Sequence, residues 1–411
     1  MYDYIIIGAG LAGLNTAQLL LEKYPNSKIC IIEKSNKIGG MIQSKYIKFD
    51  GMDIKYESGG AVVYGYQKNM LQLIKKYKIE MSSMVLKDKV KDYFDSYCNY
   101  SKTQDHHSSF KVLLKKVFNY MNKMGDKFCR EFNLEQICLQ AIGLKDTHFI
   151  EKYYGYSGEF KLANAVVARK NIENEVFNSK QMFFFKNGYS SLIGELYHSI
   201  QSKVDLKLDT TMNYFENNNN EILVKVNNKS LLKCQKIILT IPKQHLVKQT
   251  LSFNEEELKI LDSVDSFSLT RVFLGFDTSK NKWLQKLNHT TLNNPLRQII
   301  PLSKSKGLFQ IYNDWQYADA IGMLNKENTI KNSRLLLDKV FKSKVGQPTF
   351  YKKHYWKNAI HYWKPNVNEK YMYGKIMNIK KNVYICGESF SLNQGWGEGA
   401  ISMSNDLVKK L

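Results

Sequence analysis

The most explicit chemistry in the chain lies in its first forty residues. Gly8-Ala9-Gly10-Leu11-Ala12-Gly13 has the G-x-G-x-x-G spacing, and an acid, Glu33, follows some twenty residues after the last glycine. Gly8 allows a sharp turn, and Gly10 has no Cβ to hold a pyrophosphate away from the backbone. Gly13 lets a helix lie close to the preceding strand. The amides of Leu11 and Ala12 then open that helix, where unpaired N–H groups and the positive dipole end face a phosphate. A carboxylate at Glu33 can accept from both ribose hydroxyls of an adenosine. An acid there also disfavours a 2′-phosphate, and hence NADP. The plainer alternative is a glycine-rich turn in an ordinary βαβ unit.

The elements needed to position these residues are present. Tyr4-Ile5-Ile6-Ile7 is an unbroken apolar, β-branched run, as in a parallel strand buried on both faces. Leu11, Leu14, Ala17 and Leu21 fall on one helical face, Pro25-Asn26-Ser27 ends the helix, and residues 28–32 form a second strand that delivers Glu33. Further on, Gly39-Gly40-Met41-Ile42-Gln43-Ser44 makes another glycine turn. Tyr56-Glu57-Ser58-Gly59-Gly60-Ala61 is a small-residue stretch suited to close approach of a flat ring. Residues 67–144 are helical and basic in pattern, with a polar loop over 88–109 that includes His106-His107. Tyr153-Tyr154-Gly155-Tyr156-Ser157-Gly158-Glu159-Phe160 is aromatic and glycine-rich, and Asn187-Gly188-Tyr189-Ser190-Ser191-Leu192 opens a helix running to about Ile200. Residues 221–227 and 231–239 pair like a hairpin, with the Asn217–Asn220 run as a loop tip before them. Residues 269–276, 307–312 and 349–356 read as strands of a second, mostly antiparallel sheet, and 335–342 as a helix. Near the C-terminus, a buried strand ends in Gly387-Glu388, and Gln394-Gly395-Trp396-Gly397-Glu398-Gly399-Ala400 starts a final helix.

Bulk properties narrow the class. With 411 residues and 43% hydrophobic composition, the chain is globular and long enough for two or three domains. No apolar run approaches the ~18 residues of a membrane span. The first strand begins so early that no signal peptide is expected, which points to a cytoplasmic protein. Six scattered cysteines without a C-x-x-C pair suit a reducing compartment and argue against zinc. The net charge of +22 would attract polyanions, but the lysines are spread along the whole chain. Sequence-specific nucleic-acid binding is therefore not expected.

Taken together, the motifs resemble the flavin-containing amine oxidase superfamily, which covers monoamine, polyamine and L-amino-acid oxidases and, more distantly, protoporphyrinogen oxidase and phytoene desaturase. The opening motif with Glu33, the Gly39-Gly40 turn, the Asn187–Leu192 turn, the strand ending Thr240-Ile241-Pro242 and the C-terminal Gly387-Glu388…Gly395–Ala400 segment stand in the family's order. The resemblance implies an α/β, two-domain flavoprotein. A discontinuous, Rossmann-like FAD-binding domain would take residues 1–66, 181–248 and 372–411. A substrate domain of antiparallel sheet and helices would take 67–180 and 249–371. It places Gly8, Gly10, Leu11, Ala12, Gly13, Gly40, Met41 and Ser44 along the pyrophosphate and Glu33 on the adenosine ribose. Met212, through its backbone, falls on the adenine, and Gly60 and Ala61 beside the isoalloxazine. Gly387 and Glu388 fall toward the ribityl and pyrophosphate side. Gly397, Glu398 and Ala400 fall at the flavin pyrimidine edge, with Trp396 as a wall of the substrate site.

Three departures qualify the resemblance. Met41 stands where the family carries a phosphate-neutralising arginine, a role left to lysines such as Lys34 or Lys37. Arg271 stands where many members hold a water with a lysine. A guanidinium stays protonated, so it cannot act as a base, but it can bind a carboxylate or order a water. No cysteine precedes Val383 for covalent attachment, so non-covalent FAD is expected. The implied activity is oxidation of an amine or amino acid by hydride transfer to flavin N5, with O2 as acceptor. A carbon–carbon desaturase or porphyrinogen-type oxidase, or a flavoprotein without turnover serving a structural role, is the alternative. The fixed charge of Arg271 favours an acidic or amino-acid substrate over a polyamine, unless acids line the outer pocket.

Overall fold

The computed structural model describes residues 1–85, 92–94, 106–218 and 221–411. Its opening unit is β1 (Tyr2–Ile7), α1 (Leu11–Lys23) and β2 (Ile29–Ile32). β1 is parallel to β2, with Ile5 opposite Cys30, and parallel on its other side to the strand Ser230–Leu239, with Ile5 opposite Ile237. Two parallel neighbours and helices on the faces leave no solvated side, which is why the apolar run of β1 does not alternate. Ile5 and Ile6 are wholly buried.

Among the described residues, the sheet built around β1 has eight strands. Beyond β2 comes Val204–Lys207; beyond Ser230–Leu239 come Ile222–Val226 and Met212–Asn217. The strand Val383–Ile385 adds in parallel to Ser230–Leu239, so the sheet gathers strands from the start, middle and end of the chain. The C-terminal helix Gly397–Lys410 packs on α1. The Ser404 hydroxyl donates to the Ala12 carbonyl at 3.2 Å, and the Lys23 ammonium to the Val408 carbonyl at 3.0 Å.

A second sheet is centred on the long strand Val264–Gly275, flanked antiparallel by Phe350–Trp363 and Leu308–Asp314. Gln298–Ser303, Thr290–Leu292 and Asp92–Phe94 continue it, the last joining in parallel. One of its faces covers a separate apolar core that includes Val272, Leu274, Trp283, Ile299 and Phe309. Helices fill residues 106–178: His106–Met124, Leu134–Tyr154 with a break at Gly143, Ser157–Leu162, Ala165–Ile172 and a π-helical turn over Glu173–Asn178.

Several expectations are corrected. His106 and His107 open the helix His106–Met124 instead of lying in a polar loop. The helical reading of residues 67–144 missed Met81–Val85, which pairs with Gln181–Phe185, and Asp92–Phe94, which joins the second sheet. Long-range pairing overrides the local pattern in both cases. The strand expected at 349–356 runs on to Trp363, and the helix expected at 335–342 spans Lys326–Phe341. The rest of the expected 88–109 loop, the tip at Asn219-Asn220 and Cys98 lie outside the described residues. Cys30, Cys129, Cys138, Cys234 and Cys386 are buried thiols. No helix among the described residues is long and apolar enough to cross a membrane.

Candidate active site

The turn after β1 is held by contacts that leave no room for side chains. A Cβ on Gly13 would lie 2.0 Å from the Gly8 carbonyl oxygen, so the helix can approach the strand only as glycine. Gly10 differs: a Cβ there would meet only the Gly40 Cα, at 4.0 Å. Gly10 and Gly40 thus face each other across a narrow, side-chain-free gap. α1 begins at Gly10 without a side-chain cap and without an acid in its first turn, which starts with Leu11 and Ala12. A helix start of this kind presents amides and partial positive charge to an anion. Glu33, at the end of β2, accepts from the Ala9 amide at 3.0 Å and from the Ser35 amide and hydroxyl at 2.9 and 2.8 Å. The carboxylate is therefore fixed beside the glycine turn, with acceptor capacity remaining on two oxygens.

Around Gly40, Gln43 gathers a pair of lysines. Gln43 donates to the Gly40 carbonyl at 2.9 Å, and its Oε1 accepts from Lys37 at 3.0 Å and from Lys45 at 3.2 Å. Burial and the neighbouring Lys37 charge lower the Lys45 pKa. Lys34 instead contacts His245 at 3.4 Å. The Met41 backbone packs on the Gly59-Gly60 turn, its carbonyl accepting from the Gly60 amide at 3.3 Å. The hydroxyl of Ser44, a residue expected at the phosphate, donates to Glu57 at 2.8 Å and accepts from the Ser190 amide at 3.0 Å, tying the hairpin β3 (Ser44–Phe49) and β4 (Met52–Glu57) to the Asn187–Leu192 turn. Burial raises the Glu57 carboxyl, against the Tyr189 amide and the Ser44 hydroxyl.

The C-terminal motif reaches the opening motif: a Cβ on Gly397 would lie 3.3 Å from a Leu11 methyl. Gly397 is crowded, since a Cβ there would lie 2.6 Å from the Met70 methyl and 2.7 Å from the Tyr189 hydroxyl, whereas at Gly60 it would meet the Tyr189 ring at an ordinary 3.4 Å. Ala61 follows Gly60 half-buried, and Ala400 is buried in the first turn of the C-terminal helix. The carboxylates of Glu398 and Glu388 each have protein partners. Glu398 accepts from the Asn69 and Met70 amides at 3.1 and 2.8 Å, capping α2 (Lys68–Lys76). Glu388, next to Gly387, accepts from the Gly395 amide at 2.7 Å and contacts His361 Nδ1 at 3.0 Å; the other ring nitrogen of His361 meets Gln244 at 3.0 Å. The backbone at 387–388 and 397–398 lies at the expected turns. Met212 is buried and paired with Val226 at the start of its strand.

Arg271 is buried in the middle of Val264–Gly275, not at the surface. One terminal nitrogen donates to Gln310 at 3.2 Å, the guanidinium lies over the Tyr312 ring at 4.7 Å from its centroid, and Nε has no partner among the described residues. His354, opposite Arg271 on Phe350–Trp363, has its pKa lowered to about 4, by burial first and then by Lys45, Arg271, Lys352 and Lys37.

From Tyr312 an aromatic chamber extends toward Trp396. Tyr156 meets Tyr312 edge-on at 5.8 Å, and Tyr64 meets Trp396 edge-on at 5.1 Å. Tyr64, Tyr156, Tyr312 and Trp396 each keep part of their surface accessible. At its heart are two acids that the sequence reading did not single out. Glu175 Oε1 accepts from the Trp396 indole at 3.2 Å, and its Oε2 lies 3.1 Å from the Tyr154 hydroxyl. That hydroxyl also lies 2.8 Å from Glu159, which is only 3% exposed. Burial, then the Glu175 charge, push the Glu159 carboxyl up to about 8. An acid inside the aromatic run 153–160 was the available signal for Glu159. Glu175 gave none, because the π-helical turn that aims it is not visible in residue types.

Comparison with known proteins agrees with this architecture. The family model for flavin-containing amine oxidoreductases matches residues 11–403. An uncharacterized protein of Acanthamoeba polyphaga mimivirus is 22% identical over 99% of this chain and 93% of its own length. Putrescine oxidase bound to putrescine superposes with a TM-score of 0.78 at 12% identity, covering 100% of this chain and 98% of that one. Cyclohexylamine oxidase from Brevibacterium oxydans gives 0.76 at 12% identity, covering 100% and 99%. The two structural likenesses speak for the fold, and the family match spans nearly every element described above. The chain belongs to the flavin-containing amine oxidoreductase family and is an FAD-dependent enzyme of the amine oxidase type.

Proposed function

We propose that the chain oxidises a small organic amine, held as a cation in the tyrosine chamber before it reacts, with O2 as the final electron acceptor. The observation that carries this reading is Glu175, a half-buried carboxylate among the tyrosines and hydrogen-bonded to Trp396. Aromatic faces and a desolvated acid both attract an organic ammonium ion. The sequence-based preference for an acidic substrate applied only if no acids lined the pocket; Glu175 and Glu159 now tilt it to an amine.

The residues present fit FAD. The Gly10–Gly40 gap and the uncapped start of α1 suit a pyrophosphate. In this reading Gly8, Gly10, Leu11, Ala12, Gly13 and Gly40 hold that group, and Lys37 and Lys45 offset its charge in place of the arginine missing at Met41. Glu33 takes the ribose, and the Met212 backbone the adenine. The backbone at Gly60, Ala61, Gly387, Glu388, Gly397, Glu398 and Ala400 faces the ring system and its ribityl chain. We take residues 1–66, 181–248 and 372–411 as the cofactor-binding part. Bound FAD supplies a hydride acceptor at N5 and non-covalent redox chemistry that the side chains lack.

The protein's own contribution is placement and charge. Trp396 and the tyrosines exclude water and orient the amine. Arg271 sets a fixed positive charge at the other side of Tyr312, which disfavours an ammonium ion there and favours the neutral amine. Anaerobic mixing of the FAD-loaded protein with putrescine, cyclohexylamine and a panel of amino acids tests the proposal. Bleaching of the flavin by an amine is expected; bleaching by none of the amines, while a chemical reductant still bleaches it, rejects the reading.

A further inference from the structure

The hydroxyl of Tyr154 lies 2.8 Å from Glu159 Oε2 and 3.1 Å from Glu175 Oε2. A phenol has one proton, so it can donate to only one of the two. The second contact is a hydrogen bond only if that carboxyl carries a proton and the phenol oxygen accepts it. Two ionised carboxylates on one hydroxyl, inside an aromatic enclosure, would repel at low dielectric. Glu159 has the weaker claim to ionisation, since it is only 3% exposed where Glu175 is half-buried. Glu175 has the Trp396 indole N–H on its other oxygen.

We propose that Glu159, Tyr154 and Glu175 form a proton-for-cation exchange site. In the empty chamber the pair of acids shares one proton, and that proton leaves when an organic ammonium ion settles beside Glu175. The balance is simple: the site goes from one negative charge to two as the proton passes to solvent, and the entering ammonium ion offsets the added charge. This inference rests on the amine reading above and names how the site accepts its ligand.

The surroundings leave the acids as the exchangeable group. Tyr64, Tyr154, Tyr156 and Tyr362 are all raised well above their ordinary value by burial, then by neighbouring acids or phenols, and stay neutral. Tyr66 and Tyr312 are raised by burial as well, Tyr312 to about 12. Glu159 is held at about 8 chiefly by burial, with Asn171, Tyr154 and Tyr362 opposing that rise. The remaining charges act at one remove: Glu388 on Tyr362, Glu398 on Tyr66, and Arg271 and Asp314 on Tyr312. Both acids lie on one hydroxyl, so a cation bound beside Glu175 also lowers the proton affinity of Glu159 through its charge.

Tetramethylammonium chloride is a suitable probe because it cannot itself give up a proton or be oxidised. Its binding to the FAD-loaded protein is measured by calorimetry between about pH 6 and pH 9, in two buffers of different ionisation enthalpy. Affinity is expected to rise as pH rises, approaching ~tenfold per unit, and to level off above about 8. Proton release should accompany binding below that point. Glu159→Gln should keep cation binding while abolishing the pH slope and the proton release. Glu175→Gln should weaken binding by at least ~tenfold. Tyr154→Phe, which cuts the bridge without changing charge, should lower the proton release. A pH-independent wild-type affinity, no binding of the probe, or an unchanged slope in Glu159→Gln overturns the proposal. Retained flavin absorbance shows that each variant is folded. Proton-coupled binding of the probe without flavin bleaching by any amine would reject the amine reading alone, and bleaching without it would reject the exchange alone.

Discussion

Arg271 and Tyr312 face each other across adjacent antiparallel strands, with the guanidinium 4.7 Å from the ring centroid. This pairing sets the arginine at one edge of the aromatic chamber whose other side is Trp396. Arg271→Lys keeps the charge and adds a group able to lose its proton, so it should raise the rate of flavin reoxidation. Arg271→Met should slow flavin reduction by an amine while FAD stays bound. Stopped-flow reduction and reoxidation measure both; two variants that behave like wild type would place the residue outside the reacting region.

Cofactor affinity should depend on an acid and two lysines. Glu33→Ala is expected to weaken FAD binding by roughly 1–3 kcal/mol, through loss of charge-assisted hydrogen bonds. Lys37→Ala combined with Lys45→Ala should also weaken it, and the loss should shrink at high salt as screening removes their contribution. Titration of stripped protein with FAD reads both effects. An unchanged affinity in the lysine double variant would show that Lys37 and Lys45 do not stand in for the arginine missing at Met41.

Glu159 makes stability depend on pH in a stated direction. Its folded-state value of about 8 lies above the ~4.3 of an exposed glutamate, so the folded protein holds a proton that the unfolded chain gives up. Stability therefore falls as pH rises from about 4.3 to about 8. Glu159→Gln should melt higher than wild type near pH 8, with the difference closing toward pH 5. Thermal melts of the FAD-loaded protein without amine test this, and a pH-independent difference would refute it.

Glu398→Ala should destabilise the protein by about 1–3 kcal/mol, because two backbone amides of α2 and the Asn69 side chain lose their acceptor. Glu398→Gln should recover part of the loss. A urea denaturation midpoint unchanged in the alanine variant would mean that water replaces the carboxylate without cost.

What the sequence revealed follows from how local each signal is. The strand–turn–helix–strand from Tyr2 to Ile32, and the glycine positions in it, are dictated by neighbours a few residues apart, so they were legible. Arg271 was legible through the family resemblance, since it stands where many members carry a lysine. Met81–Val85 was not, since its partner Gln181–Phe185 lies a hundred residues away in sequence. Side-chain direction was the harder part. Glu388 and Glu398 sit at the expected turns, yet each carboxylate is drawn to an amide or imidazole that only the folded chain supplies. Glu175 was invisible because nothing in Glu173–Asn178 announces a π-helical turn.

The seating of the C-terminal helix on α1 has a consequence for how the protein is made. Until residues 397–410 have been synthesised, α1 lacks the helix that receives Lys23 and covers the Ala12 carbonyl. At ~5–20 residues per second, a nascent chain spends tens of seconds with that apolar surface uncovered. The strand Val383–Ile385 is equally late in reaching its place beside Ser230–Leu239. Ribosome-bound chains stalled short of residue 383 should therefore recruit chaperones and be digested readily by protease, whatever the quality of their N-terminal half.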